Sequence, residues 1–300
     1  QLNQVDEQLP HQKFTPGELA KLKARIMETK SLLNTQEQAA MAQAGERYHD
    51  LTDLREKILR LEQEFEIWYN ASLETTRVLF ESIQANRKVE LKEYDGNAEV
   101  DYWTRGAYGE LENQVKGLLD SLEKDKDSLS LEKVKEILGE AQKLADKQAR
   151  LIEEAIERAV SSQIRAEMAD MIIEKLAKDG YEVRNYGYEQ EDQRKIYLVK
   201  LQNEAKTEVV VAIVPDEQTN TNTLSINTKD PHGENEEVTR ERSRQIRKSL
   251  EEANLKLGEE ICNDERINEF YDVDSIVKSN SPGIPKQVLR KAQLLNKQTE

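Results

Sequence analysis

The sequence predicts an α+β fold, predominantly helical: long coiled-coil-like helices followed by a small domain in which helices flank a four-stranded antiparallel sheet. Three observations predict it. Up to Asp179-Gly180 the apolar residues recur every three and four positions. From Tyr181 to Thr228 they fall into short β-rich runs, after which a helical spacing returns. The third is composition. A chain of 300 residues with 37% hydrophobic, 34% charged and 5% aromatic content is poor in apolar residues for a globule, but suits helices that need only a narrow apolar stripe.

Residues 1–14 read as a polar tail, and 15–178 as the helical region. Thr15-Pro16-Gly17-Glu18 has the composition of a helix start: a capping threonine, a proline suited to the first turn and an acid three residues after the cap. Leu19, Leu22, Ile26 and Leu33 form the stripe that follows, and the Gln/Ala-rich stretch from Asn34 to Gly45 is a thin contact or a break. Leu51, Leu54, Ile58, Leu61, Phe65, Trp68, Ser72, Thr75 and Leu79 alternate three and four apart, the spacing of a heptad seam, with Phe65 and Trp68 as core knobs. Tyr94-Asp95-Gly96-Asn97 signals the end of that helix. A second run starts near Gly109, and charge and serine interrupt it from Lys124 to Ser130. A third runs from Leu131 through Ile152, Ala155, Ala159, Ala166 and Ile173 to Leu176. The simplest arrangement is two long arms folded back on each other through the turn at 94–109; pairing between chains is the other. Tyr94, Tyr102, Trp103 and Tyr108 in that turn either close the end of the helical hairpin or present a sticky tip to a partner.

Residues 179–278 form the α+β domain, with helix 160–178 packing on it. Strands are expected at Tyr181–Tyr188, Lys195–Gln202, Thr207–Val214 and Thr223–Thr228. The third is a near-continuous apolar run, as in a central strand buried on both faces. The links are too short for helical crossovers, so the strands form an antiparallel meander. A helix from about Asn235 to Asn254 turns Val238, Ile246, Leu250 and Ala253 inward, and Glu259–Val277 packs as short helices. Residues 279–300 are a Ser/Pro/Gly linker and a short basic amphipathic tail, in which Val288, Leu289, Ala292 and Leu295 lie among Lys286, Arg290, Lys291 and Lys297.

With 44 basic and 59 acidic residues the net charge is −15, which argues against nucleic acid as a partner except through a local basic patch. The helix-borne cluster Arg240, Arg242, Arg244, Arg247 and Lys248 is such a patch, or a solvated face with its acids ahead of its bases. One cysteine, Cys262, cannot form an internal disulfide, which points to a reducing, cytoplasmic setting. No apolar stretch spans a bilayer, and the start at Gln1 reads as a fragment of something longer. The sequon Asn70-Ala71-Ser72 lies in a helix and reads as coincidence.

No phosphate loop, dinucleotide fingerprint, zinc helix or paired-cysteine motif is present, and His11, His49 and His232 lie far apart. Two fragments resemble the acid, acid-x-Lys pattern with which metal-dependent nucleases hold magnesium. One is Asp216 with Asn227-Thr228-Lys229, where asparagine replaces the acid; the other is Glu204-Ala205-Lys206, in a turn. The loop Asp216–Asn222 is polar but lacks calcium-loop spacing. No cofactor or metal is implied. These observations lead to a non-enzymatic, cytosolic coiled-coil scaffold that positions partner proteins, itself included, in a larger assembly. The alternative is a nucleic-acid-processing or phosphate-ligand subunit acting through the α+β domain. Partner contacts are expected at Tyr94, Tyr102, Trp103, Tyr108, Arg240, Arg244, Arg247, Val288, Leu289, Arg290 and Leu295.

Overall fold

A computed structural model describes residues 2–33, 35–92, 94, 96–216, 221–229, 236–252 and 272–277. The chain divides into two compact units, Gln1–Lys88 with Val100–Ile152, and Val89–Glu99 with Glu153–Glu300. The division falls inside one continuous helix rather than at Asp179-Gly180, where the sequence rhythm changes.

The first unit opens with α1 (Leu2–Gln8) and α2 (His11–Phe14), where the sequence reads as a polar tail. Val5 is the reason. It is fully buried beside Leu19, Leu22, Leu51, Leu54 and Ile58, and one such anchor holds an otherwise polar segment in place. Thr15 does not cap the next helix, α3 (Glu18–Leu32). Its hydroxyl donates back to the His11 carbonyl, and Gly17, at φ 79°, takes the position before the first turn.

The helix α4 (Glu37–Ala85) runs for 49 residues, about 70 Å at the usual rise. Helix α3 lies antiparallel on it: Glu18 pairs with Lys57 at 2.7 Å and Arg25 with Asp50 at 3.1 Å. The buried stripe of α4 is Leu51, Leu54, Ile58, Phe65, Tyr69, Ser72, Thr76, Leu79 and Ile83. Tyr69 and Thr76 thus replace the expected Trp68 and Thr75, and Leu61 is only half-buried. The physical reason is helical pitch. At 3.6 residues per turn, a strict 3.5-residue seam drifts around a straight helix.

That helix ends at Ala85, earlier than the turn signal at Tyr94, because Asn86 caps it by donating to the Ser82 carbonyl. A small two-stranded sheet follows, β1 (Lys88–Glu90) with β2 (Asn97–Glu99). Then come α5 (Val100–Trp103), α6 (Ala107–Lys124) and α7 (Leu131–Lys178). The helices run up, down and up, correcting the expected pair of arms. Helix α6 returns along α4, with the Tyr69 hydroxyl donating to the Leu122 carbonyl and the Tyr108 hydroxyl to the Ile83 carbonyl. Helix α7 then runs parallel to α4: Ser72 donates to the Val134 carbonyl, and Gln148 donates to Ser82 and Tyr108. Phe65, Tyr69, Leu122, Val134 and Ile137 form the core among them. Lys13 closes its lower end, with Nζ 3.6 Å from the centre of the Phe65 ring and donating to the Lys126 carbonyl at 2.8 Å.

In the second unit, α7 stops at Lys178 and Gly180 adopts φ 82°, as expected of a glycine cap. Four strands follow: β3 (Tyr181–Tyr188), β4 (Tyr197–Asn203), β5 (Glu208–Asp216) and β6 (Thr221–Lys229). They form an antiparallel meander in sequence order. On one face Tyr197, Val199, Leu201, Val209, Val211 and Ile213 bury against Met168, Ala169, Ile172 and Leu176 of α7 and Ile246 of α8 (Glu236–Glu252). Val238, expected inward on α8, is 49% exposed. The other face is apolar too: Leu198, Val210 and Ala212 bury against Val273 and Val277 at α9 (Val273–Ile276). Central β5 is therefore covered on both sides, which explains its unbroken apolar run. Lys200 fastens α9 to the sheet, 2.7 Å from Asp274, whose carboxyl this contact holds below its ordinary range.

Candidate functional site

The most unusual chemistry among the described residues is a cation buried without an anion. On α7, Ser161, Ser162 and Arg165 face the start of β6 and the β3–β4 link. Two small serines leave room there for a long side chain. Arg165 is 2% exposed. Its Nη1 donates to Asn222 Oδ1 at 2.9 Å and to Ser161 Oγ at 3.3 Å, and its Nη2 donates to the Gln193 carbonyl at 2.7 Å. Asn222 returns a hydrogen bond to the Ser161 carbonyl at 3.3 Å. Nε is buried and has no acceptor among the described residues. Burial pushes the guanidinium's pKa down, opposed only by the Tyr188 hydroxyl, yet arginine stays charged throughout the physiological range.

Tyr188 lines the same site. Its ring centre is 6.0 Å from Cζ of Arg165, and its hydroxyl lies 2.8 Å from both Ser162 Oγ and the Ser162 carbonyl. Tyr197 packs edge-on against it at 4.7 Å. Burial raises the pKa of both phenols, so both are neutral at pH 7. Asp170, about one helical turn further along α7, is half-buried, and its pKa is pushed up to about 6, first by burial and then by Glu174 and Glu167. The site can clamp the edge of the sheet to α7 through charge-assisted hydrogen bonds. The Ser161, Ser162 and Tyr188 hydroxyls are engaged in hydrogen bonds within the site, and among the described residues no histidine stands in this unit to activate one.

The residues expected to meet partners are placed differently. Trp103 and Tyr108 are buried, Tyr102 is half-buried edge-on to Trp103 at 5.0 Å, and Tyr94 is half-buried. Burial raises the pKa of the Tyr108 hydroxyl, which braces three helices. Arg240 and Arg244 are exposed on α8, and Arg247 is half-buried; Arg244 lies 3.8 Å from Glu241 and Arg247 2.9 Å from Glu251. Val288, Leu289, Arg290 and Leu295 lie outside the described residues, as do Leu250's side chain, Ala253 and most of Glu259–Val277.

The nuclease-like letters are not brought together. Asp216 pairs with Thr221 at one end of the β5–β6 ladder, whereas Lys229 pairs with Glu208 at the other. Glu204 and Lys206 sit in the β4–β5 turn, with Lys206 at φ 66°. No three His, Cys, Asp or Glu side chains converge on a common point among the described residues. In the sequon, Ser72 is buried and holds the Val134 carbonyl, so the tripeptide serves helix packing.

Arg165 was not picked out from the sequence, although a signal exists. Ala155, Ala159, Ser162, Arg165, Ala169, Ile172 and Leu176 keep the three-four spacing, which places the arginine on the buried stripe. Among the described residues no helix is long and apolar enough to cross a membrane. Comparison with protein-family models, with curated proteins and with solved structures finds no match to this chain.

Proposed function

We propose that this protein is a non-enzymatic, cytosolic interaction subunit whose helical region positions partner proteins in a larger assembly. The observation that carries the reading is the outward side of α4. While its core stripe is satisfied within the chain, Met41, Tyr48, Ile67 and Val78 stand exposed, Ile67 by 62% and Val78 by 54%. Large apolar groups held out on a long, internally braced helix supply anchors for a partner helix. Affinity capture from the source cells with quantitative mass spectrometry tests it. A partner enriched by the native chain and lost from an Ile67→Asp/Val78→Asp variant with unchanged circular dichroism is the expected result. Equal recovery with both chains contradicts the reading.

A second reading, an α+β module that binds a phosphate-bearing ligand, draws on Arg165. Its Nη1 and Nη2 are taken up by Asn222, Ser161 and the Gln193 carbonyl, and the side chain is buried, which supports a structural clamp and therefore the first reading.

A further inference from the structure

Helices α3 and α4 each carry a second stripe besides the one buried between them. On α3 it is Ala20, Ala24, Met27 and Ser31; on α4 it is Met41, Gly45, Tyr48 and Thr52. Both run four, three and four residues apart, the spacing at which one helix seats its side chains on another. All are exposed except half-buried Thr52, with Met27 at 72%, Met41 at 65% and Tyr48 at 56%. The contacts of α6 and α7 with α4 lie further along, at Glu64 and beyond. The two stripes also fit each other in size. Helix α3 presents one large side chain, Met27, among small ones. Helix α4 presents two, Met41 and Tyr48, with Gly45 between them, and a Cβ placed on Gly45 would meet nothing within 4 Å. Large and small residues therefore alternate across the pair, as close helix packing requires.

We propose that this side of the α3–α4 hairpin is a self-association surface, and that its occupant is the same hairpin of a second copy, related by a two-fold axis along the helices. Each α3 then lies antiparallel on the α4 of the other copy. Within one chain Arg25 pairs with Asp50 at 3.1 Å and the Thr29 hydroxyl with Gln43 at 3.3 Å, so Met27 is level with the stretch between Gln43 and Asp50. The axis preserves that level and brings Met27 over Gly45 of the second copy, between its Met41 and Tyr48. The same contact forms again in the reciprocal direction. Charge favours this occupant. The exposed charges of α3 are Lys21, Arg25, Glu28 and Lys30, a basic set, and those of α4 as far as Asp53 are Glu37, Glu46 and Asp53, all acidic. Identical chains of net charge −15 repel each other on the whole, but here each basic helix meets an acidic one. Two-fold contacts that use one patch twice are also the commonest kind of assembly. The inference deepens the interaction reading of α4 by naming the partner of its N-terminal part, and it makes no use of Ile67 or Val78, on which that reading is tested.

Sedimentation equilibrium combined with NMR of methyl-labelled methionine tests it on the whole chain. The expected result is a mass that doubles from 34.6 kDa as concentration rises. The Met27 and Met41 methyl signals should move in step, while those of Met168 and Met171, in the core of the second unit, stay constant. Met27→Lys should weaken self-association roughly tenfold or more, with an unchanged melting curve at a dilution that leaves single chains. Gly45→Leu fills the gap from the α4 side and should weaken it likewise, while improving the helix's own propensity. Three outcomes overturn the proposal: a mass of one chain at every concentration, dimers in which the Met27 and Met41 signals stay constant, or a folded Met27→Lys or Gly45→Leu variant that associates as strongly. A single chain that still captures a partner through Ile67 and Val78 overturns this inference alone, and a dimer that captures none overturns only the earlier reading.

Discussion

Arg165 makes three hydrogen bonds to uncharged oxygens and none to a carboxylate among the described residues. Its contribution is geometric: a planar fork that joins α7, the β3–β4 link and β6 at one point. Lysine cannot reproduce that fork. Arg165→Lys should therefore lower the stability of the second unit by about 2 kcal/mol, read from urea melts, because orphaned buried acceptors cost more than the net worth of the bonds. A cost within error of zero would show that the cluster is not a clamp. Asp170 tests the neighbouring electrostatics. Its folded pKa is raised to about 6 from 3.8, first by burial and then by Glu174 and Glu167. The folded state therefore binds the proton more tightly than the unfolded chain, and stability from this group falls as pH rises from 3.8 through 6. Above that window the ionised carboxyl is fully unfavourable. Asp170→Asn should thus stabilise the protein at pH 7.5, by on the order of 1 kcal/mol for a half-buried, solvent-screened group, and the difference should close by about pH 4. A gap that is constant with pH would assign the effect to shape rather than charge.

At the scale of elements, the strands were the most legible. Four apolar runs with short polar links permit little but an antiparallel meander, and β5 stands out because a strand covered on both faces has no polar alternation. The small sheet of β1 and β2 was not legible, since two strands of three residues carry no periodicity to read. In α4 the spacing identified Leu51, Leu54, Ile58, Phe65, Ser72 and Leu79, and missed at Leu61 and Thr75, which are half-buried, and at Trp68, which is 36% exposed while Tyr69 is buried. A 3.5-residue template drifts towards one edge of a stripe that repeats every 3.6 residues, so single positions such as Trp68 and Thr75 slip off it. Phe65 lies at the centre of the helical core, so Phe65→Ala should cost about 3–5 kcal/mol in a denaturant melt. Tyr108→Phe keeps the ring but removes the bond to the Ile83 carbonyl and the acceptor used by Gln148, and should cost about 1 kcal/mol. If Tyr108→Phe were as damaging as Phe65→Ala, the helices would be held by polar bracing more than by packing.

At the scale of the whole molecule, apolar spacing tells how much of a helix is buried but not which helix buries it. That is why the three-helix course of α4, α6 and α7 was not legible, and why one chain folding on itself could not be told from two chains pairing. The answer lies in specific side chains at long sequence separation: Ser72 on the Val134 carbonyl, Gln148 on Ser82 and Tyr108, and Glu64 with Lys135 at 2.8 Å. The candidate site was hidden for a related reason. The three-four spacing puts Arg165 on the buried stripe of α7, but the oxygens it meets on Asn222 and Gln193 lie 57 and 28 residues away and come to it only when the elements are assembled. The functional account depends on this closure, because only a helical unit satisfied within one chain leaves the outward side of α4 for a partner. Zero-length carbodiimide cross-linking of a mixture of light and nitrogen-15-labelled chains, read by mass spectrometry, tests the closure directly. The account predicts Glu18–Lys57, Glu64–Lys135 and Glu66–Lys126 links in which both peptides carry the same isotope, as their 2.7, 2.8 and 2.9 Å ion pairs require. Mixed-isotope links at those three pairs would contradict it and make the helical region an assembly between chains.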